Sequence, residues 1–220
     1  MEKIENHHRE FLLRGLSAQI TGSAVSPVKE QVSASVEKLR EKLTGRYGSL
    51  ERKELKQLEM FQPFIAHFKR FKKTYHLFLQ LESFVHKQRP LPFIHPLVSA
   101  YFLTELETGV LASAHDSNKL SPGFRLIEAT GEETLTLLSG EDRLAPAGDA
   151  VLADQRGVLT SVIQGQDSRT VIGPDALGGT IFVYGPPGIS MSALEKALDI
   201  FRGHLTEWYG EEGLVFEEIG

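Results

Sequence analysis

Two short polar segments carry the residue types from which a site could be built. One is Ser113-Ala-His115-Asp116; the other is Gln164-Gly-Gln166-Asp167-Ser168-Arg169-Thr170. Alternate residues of a strand share a face, so on a strand Ser113 and His115 project together. There His115 would serve as a general base or a polarising donor. The other reading open at this point is an exposed strand-end histidine, with Asp116 beginning a turn. In the second segment Gln166 and Ser168 would share one face and Asp167 and Arg169 the other. Asp167 and Arg169 would then form a local ion pair, which stabilises little when exposed. The segment lies between two apolar runs, 157–163 and 180–184, rich in Val, Ile and Leu, which read as strands. Its polar residues are either a tight solvated turn or the floor of a pocket.

A third segment, His67-Phe68-Lys69-Arg70-Phe71-Lys72-Lys73, interleaves cations with rings. Such a stretch suits nucleic acid, with cations on phosphates and rings on bases. It equally suits a helix end whose phenylalanines face the core and whose lysines face water. The net charge of −5 argues against indiscriminate nucleic-acid binding over a broad face but leaves room for a local basic patch. Other chemistries have no carrier. Cysteine is absent, which removes disulfides, thiolate catalysis and Cys-ligated zinc. There is no Gly-x-Gly-x-x-Gly, phosphate-binding Gly-Lys-Ser loop, His-Glu-x-x-His or Gly-x-Ser-x-Gly. The eight histidines are scattered except His7-His8. Neighbouring side chains on a helix or strand point different ways, so that pair reads as surface decoration. No metal or cofactor is expected.

The elements that must position these residues follow from periodicity. Within 10–22 the apolar positions Leu16, Ala18 and Ile20 alternate, as in a strand. Ser26 is placed to cap, and Pro27 to open, a helix over 28–43 with Val32, Val36, Leu39 and Leu43 on one face and Gly45 as its stop. A charged helical stretch over 51–61 continues past Pro63 to Phe71. An amphipathic helix spans 75–87. After the stiff Arg89-Pro90-Leu91-Pro92 comes a buried helix over 94–106, opened by Pro96 and closed by Gly109. From Val110 the pattern changes to short strands at 110–114, 124–129, 133–138, 150–153, 158–163 and 180–184, separated by turn residues. Ser190 caps a last amphipathic helix over 191–209, and 211–220 is an acidic tail or a short final strand. Helices mostly before residue 108 and strands mostly after it predict an α+β fold with a mixed, mostly antiparallel sheet. One domain is expected over 1–220. No apolar run approaches the ~20 residues that span a bilayer and no signal-peptide core follows the N-terminus, so a soluble cytoplasmic protein is expected.

Stretches 89–101, 110–120, 151–170 and 180–184 resemble the B3/4 domain, the editing domain of the phenylalanyl-tRNA synthetase beta subunit, which also occurs as short free-standing proteins. The resemblance covers roughly 47–209, with 1–46 an added strand and helix. Pro96-Leu-Val-Ser-Ala-Tyr101 is similar to the family's Asn-Pro-Leu-Val-Asp and Tyr-Asn pieces, and Asp116-Ser-Asn-Lys-Leu120 to its Asp-Leu-Asp-Lys-Ile. Val151-Leu-Ala-Asp154 belongs with them, and Gln166-Asp-Ser-Arg-Thr170 is similar to Arg-Asp-Ser-x-Arg-Thr of the free-standing members. The resemblance implies helices on a sandwich with a pocket that hydrolyses tyrosine wrongly esterified to the phenylalanine tRNA. Ser113 falls on the family's histidine position, and a histidine follows two residues later. The family's Thr-Asn-Tyr falls on Ser99-Ala100-Tyr101, losing the amide. Its Gly-Gly-Glu-x-Ser falls on Gln164–Ser168, so the carboxylate becomes Gln166, which cannot take a proton.

Two functions are therefore expected. The first is a free-standing hydrolase of misacylated tRNA, with His115 activating water and Ser113 and Gln166 beside it. Ser99, Tyr101, Asp116, Asp167, Ser168, Arg169 and Thr170 would bind substrate. Lys69, Arg70, Lys72, Lys73, Lys87 and Arg89 would meet the acceptor stem. Ala100, Phe102 and Val162 would set the pocket's volume. The second is a non-catalytic module for tRNA, an amino acid or a similar small metabolite, which the lost histidine and glutamate favour. Neither a membrane nor DNA is an expected partner, and aminoacylation is excluded for want of its ATP-binding and catalytic parts.

Overall fold

The computed structural model describes residues 3–21 and 28–220. The expected cap Ser26 and opening Pro27 lie outside the described residues. The first elements are β1 (Glu5–Asn6), β2 (Leu12–Ile20), α1 (Val28–Tyr47), α2 (Arg52–Leu55), α3 (Gln62–Arg70), α4 (Leu77–Val85) and α5 (Pro96–Thr108). Then come β3 (Ala112–Asp116), β4 (Arg125–Glu128), β5 (Thr134–Thr136), β6 (Asp142–Leu144), β7 (Ala150–Asp154), β8 (Gly157–Ser161) and β9 (Gly165–Gln166). β10 (Gly178–Gly185), α6 (Met191–Tyr209) and β11 (Leu214–Ile219) finish the chain.

The strands form two sheets and a hairpin. β11-β2-β10-β3 is antiparallel throughout. β1-β4-β7-β8-β9 is antiparallel except for the β1–β4 pair, and β5 pairs with β6. Helices α5 and α6 pack on the first sheet. The second sheet covers its other face, where Phe124 meets Phe182 edge-on at 5.0 Å. This is the expected α+β class with a mostly antiparallel sandwich. All eight residues of β10 are buried, as a strand covered on both faces requires. Its alternate side chains divide the two layers. Thr180 and Phe182 sit opposite His115 and Ser113 in register, and Ile181 opposite Ala114. Gly15, opposite Phe182, makes room for that ring, since a Cβ there would lie 2.9 Å from it.

Several boundaries differ from the periodicity. Helix α1 runs through Gly45 to Tyr47, because a single interior glycine costs only about 1 kcal/mol and the buried face of Val32, Leu39 and Leu43 outweighs it. The stretch 51–71 is broken into α2, a 3-10 turn at Glu59–Phe61, and α3, with Pro63 in the first turn of α3. Tyr75 lies outside α4, its hydroxyl donating to the Gly109 carbonyl at 2.9 Å. Helix α5 does start at Pro96, and His95 caps it by accepting the Leu97 N–H at 3.2 Å. Gly109 at φ 69° stops it. The strand expected from Val110 starts at Ala112, and 214–219 is a strand rather than a free tail.

The turn after β9 is held by an ion pair between a partly buried arginine and a buried aspartate. The Arg169 guanidinium donates to Asp154 at 3.1 and 3.2 Å, and to the carbonyls of Val158 and Lys119 at 3.3 and 3.4 Å. Asp154 is fully buried and also accepts the Ser121 and Arg156 N–H groups. Removing one partner of such a pair leaves an uncompensated charge. Arg169→Met is therefore expected to destabilise the fold by ~3 kcal/mol in urea unfolding, and Arg169→Met with Asp154→Asn by clearly less. Equal losses in the single and double variants would contradict the pairing.

Candidate functional site

His115 lies on β3 between the two sheets, with no exposed surface. Its Nε2 is 2.8 Å from Ser113 Oγ and 3.2 Å from Thr160 Oγ1. Its Nδ1 is 2.7 Å from Thr170 Oγ1 and 3.3 Å from Gln166 Nε2. The Gln166 amide also donates to the Ala114 carbonyl at 2.9 Å, and Ser113 Oγ lies 2.8 Å from the Tyr184 hydroxyl. Five polar side chains from β3, β8, β9, the following 3-10 turn and β10 thus converge on or beside one imidazole. Burial is the main cause that depresses the His115 pKa from 6.5 to about 3; Arg169 lowers it further and Asp154 opposes. The ring is neutral across the physiological range. Burial also raises the Tyr184 hydroxyl.

Beside this relay opens a cleft of about 170 Å³ lined by Tyr101, Glu105, Ser113, Thr160 and the segment 161–166, together with Phe68 and His76. Buried Asp149 shapes the 162–164 turn. It accepts from the Ser161 hydroxyl and from the Ile163 N–H at 3.2 Å, while Ser161 Oγ accepts the Gln164 N–H at 2.9 Å.

The structure brings Ser113, His115, Gln166 and Thr170 together, with Tyr101 in the adjoining cleft. It places the other expected contacts elsewhere. Ser99 and Phe102 line a separate groove with Arg40 and 90–93, and Ala100 is in the core. Asp116 caps the turn Ser117–Lys119, accepting the Asn118 N–H at 3.0 Å. Asp167 and Arg169 do not pair with each other. Asp167 accepts the backbone N–H groups of Arg169 and Thr136, both at 2.8 Å, while the guanidinium turns to Asp154. Both line, with Ser168, the open surface beside β5 and β8. The backbone leaves the strand pattern after Gln166 and turns, so alternation no longer assigns faces there.

Lys69, Arg70, Lys72 and Lys73 are exposed at the end of α3, and Arg70 meets Glu10 at 3.6 Å. The rings between them pack inward: Phe68 is buried and Phe71 packs against the core. Lys87 and Arg89 are exposed beyond α4, next to the groove of 90–93. Periodicity missed Tyr184, Thr160, Asp149 and Glu105. A tyrosine and a threonine inside otherwise apolar strands were the available signal, since a buried hydroxyl needs a partner. Burial raises the Glu105 carboxyl to about 8, opposed by the Ala112 N–H and Tyr101.

Fold and site together define an α+β sandwich domain with a small cleft floored by neutral hydrogen-bonding groups. Residues 62–171 match the B3/4 domain, and the chain belongs to that family. No curated protein matches the chain. Among solved structures it is similar to an N-terminal fragment of the phenylalanyl-tRNA synthetase beta subunit from Pyrococcus horikoshii, at 12% identity and TM-score 0.49. That alignment covers 98% of this chain and 50% of the other, so the chain spans about half that fragment's length.

The depressed pKa makes a signed prediction. A histidine kept neutral by the fold contributes its full stability above pH 6.5 and loses it as the pH falls toward 3. His115→Gln is expected to cost about 2 kcal/mol at pH 7.5 in urea unfolding. That deficit should shrink by about 1.4 kcal/mol per pH unit below 6.5. A deficit independent of pH would contradict the assignment.

Proposed function

We propose that the cleft receives the aminoacyl end of a tRNA, with the relay acting as a fixed hydrogen-bonding floor. The observation that carries this reading is adjacency. Phe68 and His76 line the cleft, and the exposed cations Lys69, Lys72 and Lys73 lie on the chain between them. Their backbone is ordered by a helix-ending turn, with the Lys72 N–H bonded to the Lys69 carbonyl and the Lys73 N–H to the Phe68 carbonyl, both at 3.0 Å. Lysines held at the border of a cleft suit phosphates next to a nucleotide end. Membership of the B3/4 family supports the same class of ligand. Lys87 and Arg89, beside the other groove, contribute less in this reading.

Hydrolysis of the bound ester is a second reading, favoured by one contact. Ser113 lines the cleft 2.8 Å from His115 Nε2, and Thr170 orients the opposite ring nitrogen. A nucleophile, a base and an orienting group stand in that order in acyl-transfer sites. The buried ring is a weak base, however, so rate would come mainly from positioning. This favours binding as the principal activity.

The test measures binding and deacylation side by side, using tyrosyl and other misacylated forms of the phenylalanine tRNA. Salt-sensitive binding is expected, tighter for aminoacylated than for deacylated tRNA. Lys69→Ala with Lys72→Ala and Lys73→Ala should weaken it at least tenfold and reduce the salt slope by about 2. Lys87→Ala with Arg89→Ala should change it little. Deacylation above the spontaneous rate that disappears in Ser113→Ala would establish the second reading. Absence of any tRNA binding would overturn both.

A further inference from the structure

One buried acid has no role in the relay. Glu105 projects from α5 and is 1% exposed. One carboxyl oxygen, Oε1, accepts the Ala112 N–H at 2.8 Å. The other, Oε2, is buried with no hydrogen-bond partner among the described residues. The Tyr101 hydroxyl, one turn earlier, interacts with the carboxyl group and favours its ionised form, but it does not reach hydrogen-bond geometry on Oε2. A buried acceptor left open is costly unless something supplies a donor.

Glu105 lines the cleft. Among the described residues no lysine or arginine lines it and no second carboxyl does; the other polar contributors are hydroxyls, amides and His76. Desolvation by the surrounding protein lowers the His76 pKa, although the residue reaches the surface. The Phe68, His76 and Tyr101 rings contribute to the same lining. One acid with an open oxygen, flanked by aromatic faces and free of competing cations, has the composition of a receptor for an N–H-bearing cation.

We infer that Glu105 is the cleft's receptor for a primary ammonium group, of the kind carried by an aminoacyl ester or an amino-acid amide. This rests on the reading of the cleft as the ligand site and names the group that is recognised there. Oε2 accepts an ammonium N–H while Oε1 stays on Ala112. An approaching cation favours the ionised carboxyl, so Glu105 gives up its proton as the ligand enters. The two tyrosines that feel its charge, Tyr75 and Tyr101, stay neutral because burial raises them, and desolvation lowers the pKa of His76 in the same lining.

The experiment titrates wild type and Glu105→Gln, by calorimetry at pH 7, with phenylalaninamide and tyrosinamide and with their deamino counterparts, 3-phenylpropionamide and 3-(4-hydroxyphenyl)propionamide. Glutamine keeps an oxygen for the Ala112 N–H, and a thermal melt checks that the variant is folded. Wild type is expected to bind at least one amine at least tenfold more tightly than its deamino partner. Glu105→Gln should abolish that preference while leaving the deamino affinity unchanged. Equal affinity for amine and deamino compounds, or a preference that survives in folded Glu105→Gln, overturns the role of Glu105 and leaves the cleft as a ligand site. Failure of wild type to bind any of the four while it still binds aminoacylated tRNA overturns this inference alone, and failure to bind tRNA as well overturns the ligand reading with it.

Discussion

The interaction on which the site depends is the burial of the His115 ring between two sheets. An imidazole in that position must find partners for both nitrogens or leave a buried polar atom unsatisfied. The fold supplies them from four separate segments: Ser113 on the same strand, Thr160 on β8, and Gln166 and Thr170 on either side of the Asp167 turn. Each of those segments is thereby tied to the ring's position. The Arg169–Asp154 pair and the Asp167 cap then hold the turn that carries Gln166 and Thr170. The cleft inherits a floor of fixed dipoles with little formal charge.

The same interaction explains how a familiar pattern is altered here. Ser113 stands at the family's histidine position in the resemblance, and His115 follows two residues later. On a strand that spacing keeps the side chain on the same face but moves it one residue pair along β10, from opposite Phe182 to opposite Thr180. There the covering sheet closes over it. In this chain the hydroxyl of Ser113 lines the cleft and the His115 ring lies buried beside it. Gln166 supports the arrangement in a way a carboxylate could not, since its amide donates to the Ala114 carbonyl. Among the described residues, Glu105 is the one acid in the cleft's lining.

Much of this was legible in the sequence. The alternation of Leu16, Ala18 and Ile20, the opening of α5 at Pro96 and the Ser190 cap of α6 are local signals, and the structure carries them through. Ser113 and His115 on one face followed from strand period alone. What sequence could not provide was depth and long-range partnership. Nothing near Arg169 indicates that its guanidinium reaches Asp154 rather than Asp167, because the choice depends on how β7 and β8 pack. Ser99 and Phe102 line a different groove from Ser113 for a related reason: a buried helix has several faces, and α5 turns these two toward α1. Tyr184 and Glu105 were hidden in apolar runs, where a polar atom shows itself only through what it touches.

The measurement that tests this account most directly is an NMR titration of the His115 ring from pH 8 to 4, following its carbon and nitrogen shifts in the folded protein. A ring buried in the relay stays neutral in a single tautomer, with no inflection until the fold itself is lost. A titration with a midpoint between pH 6 and 7 would show a ring open to solvent protons. That result would contradict the buried relay and return His115 to the role of an accessible base.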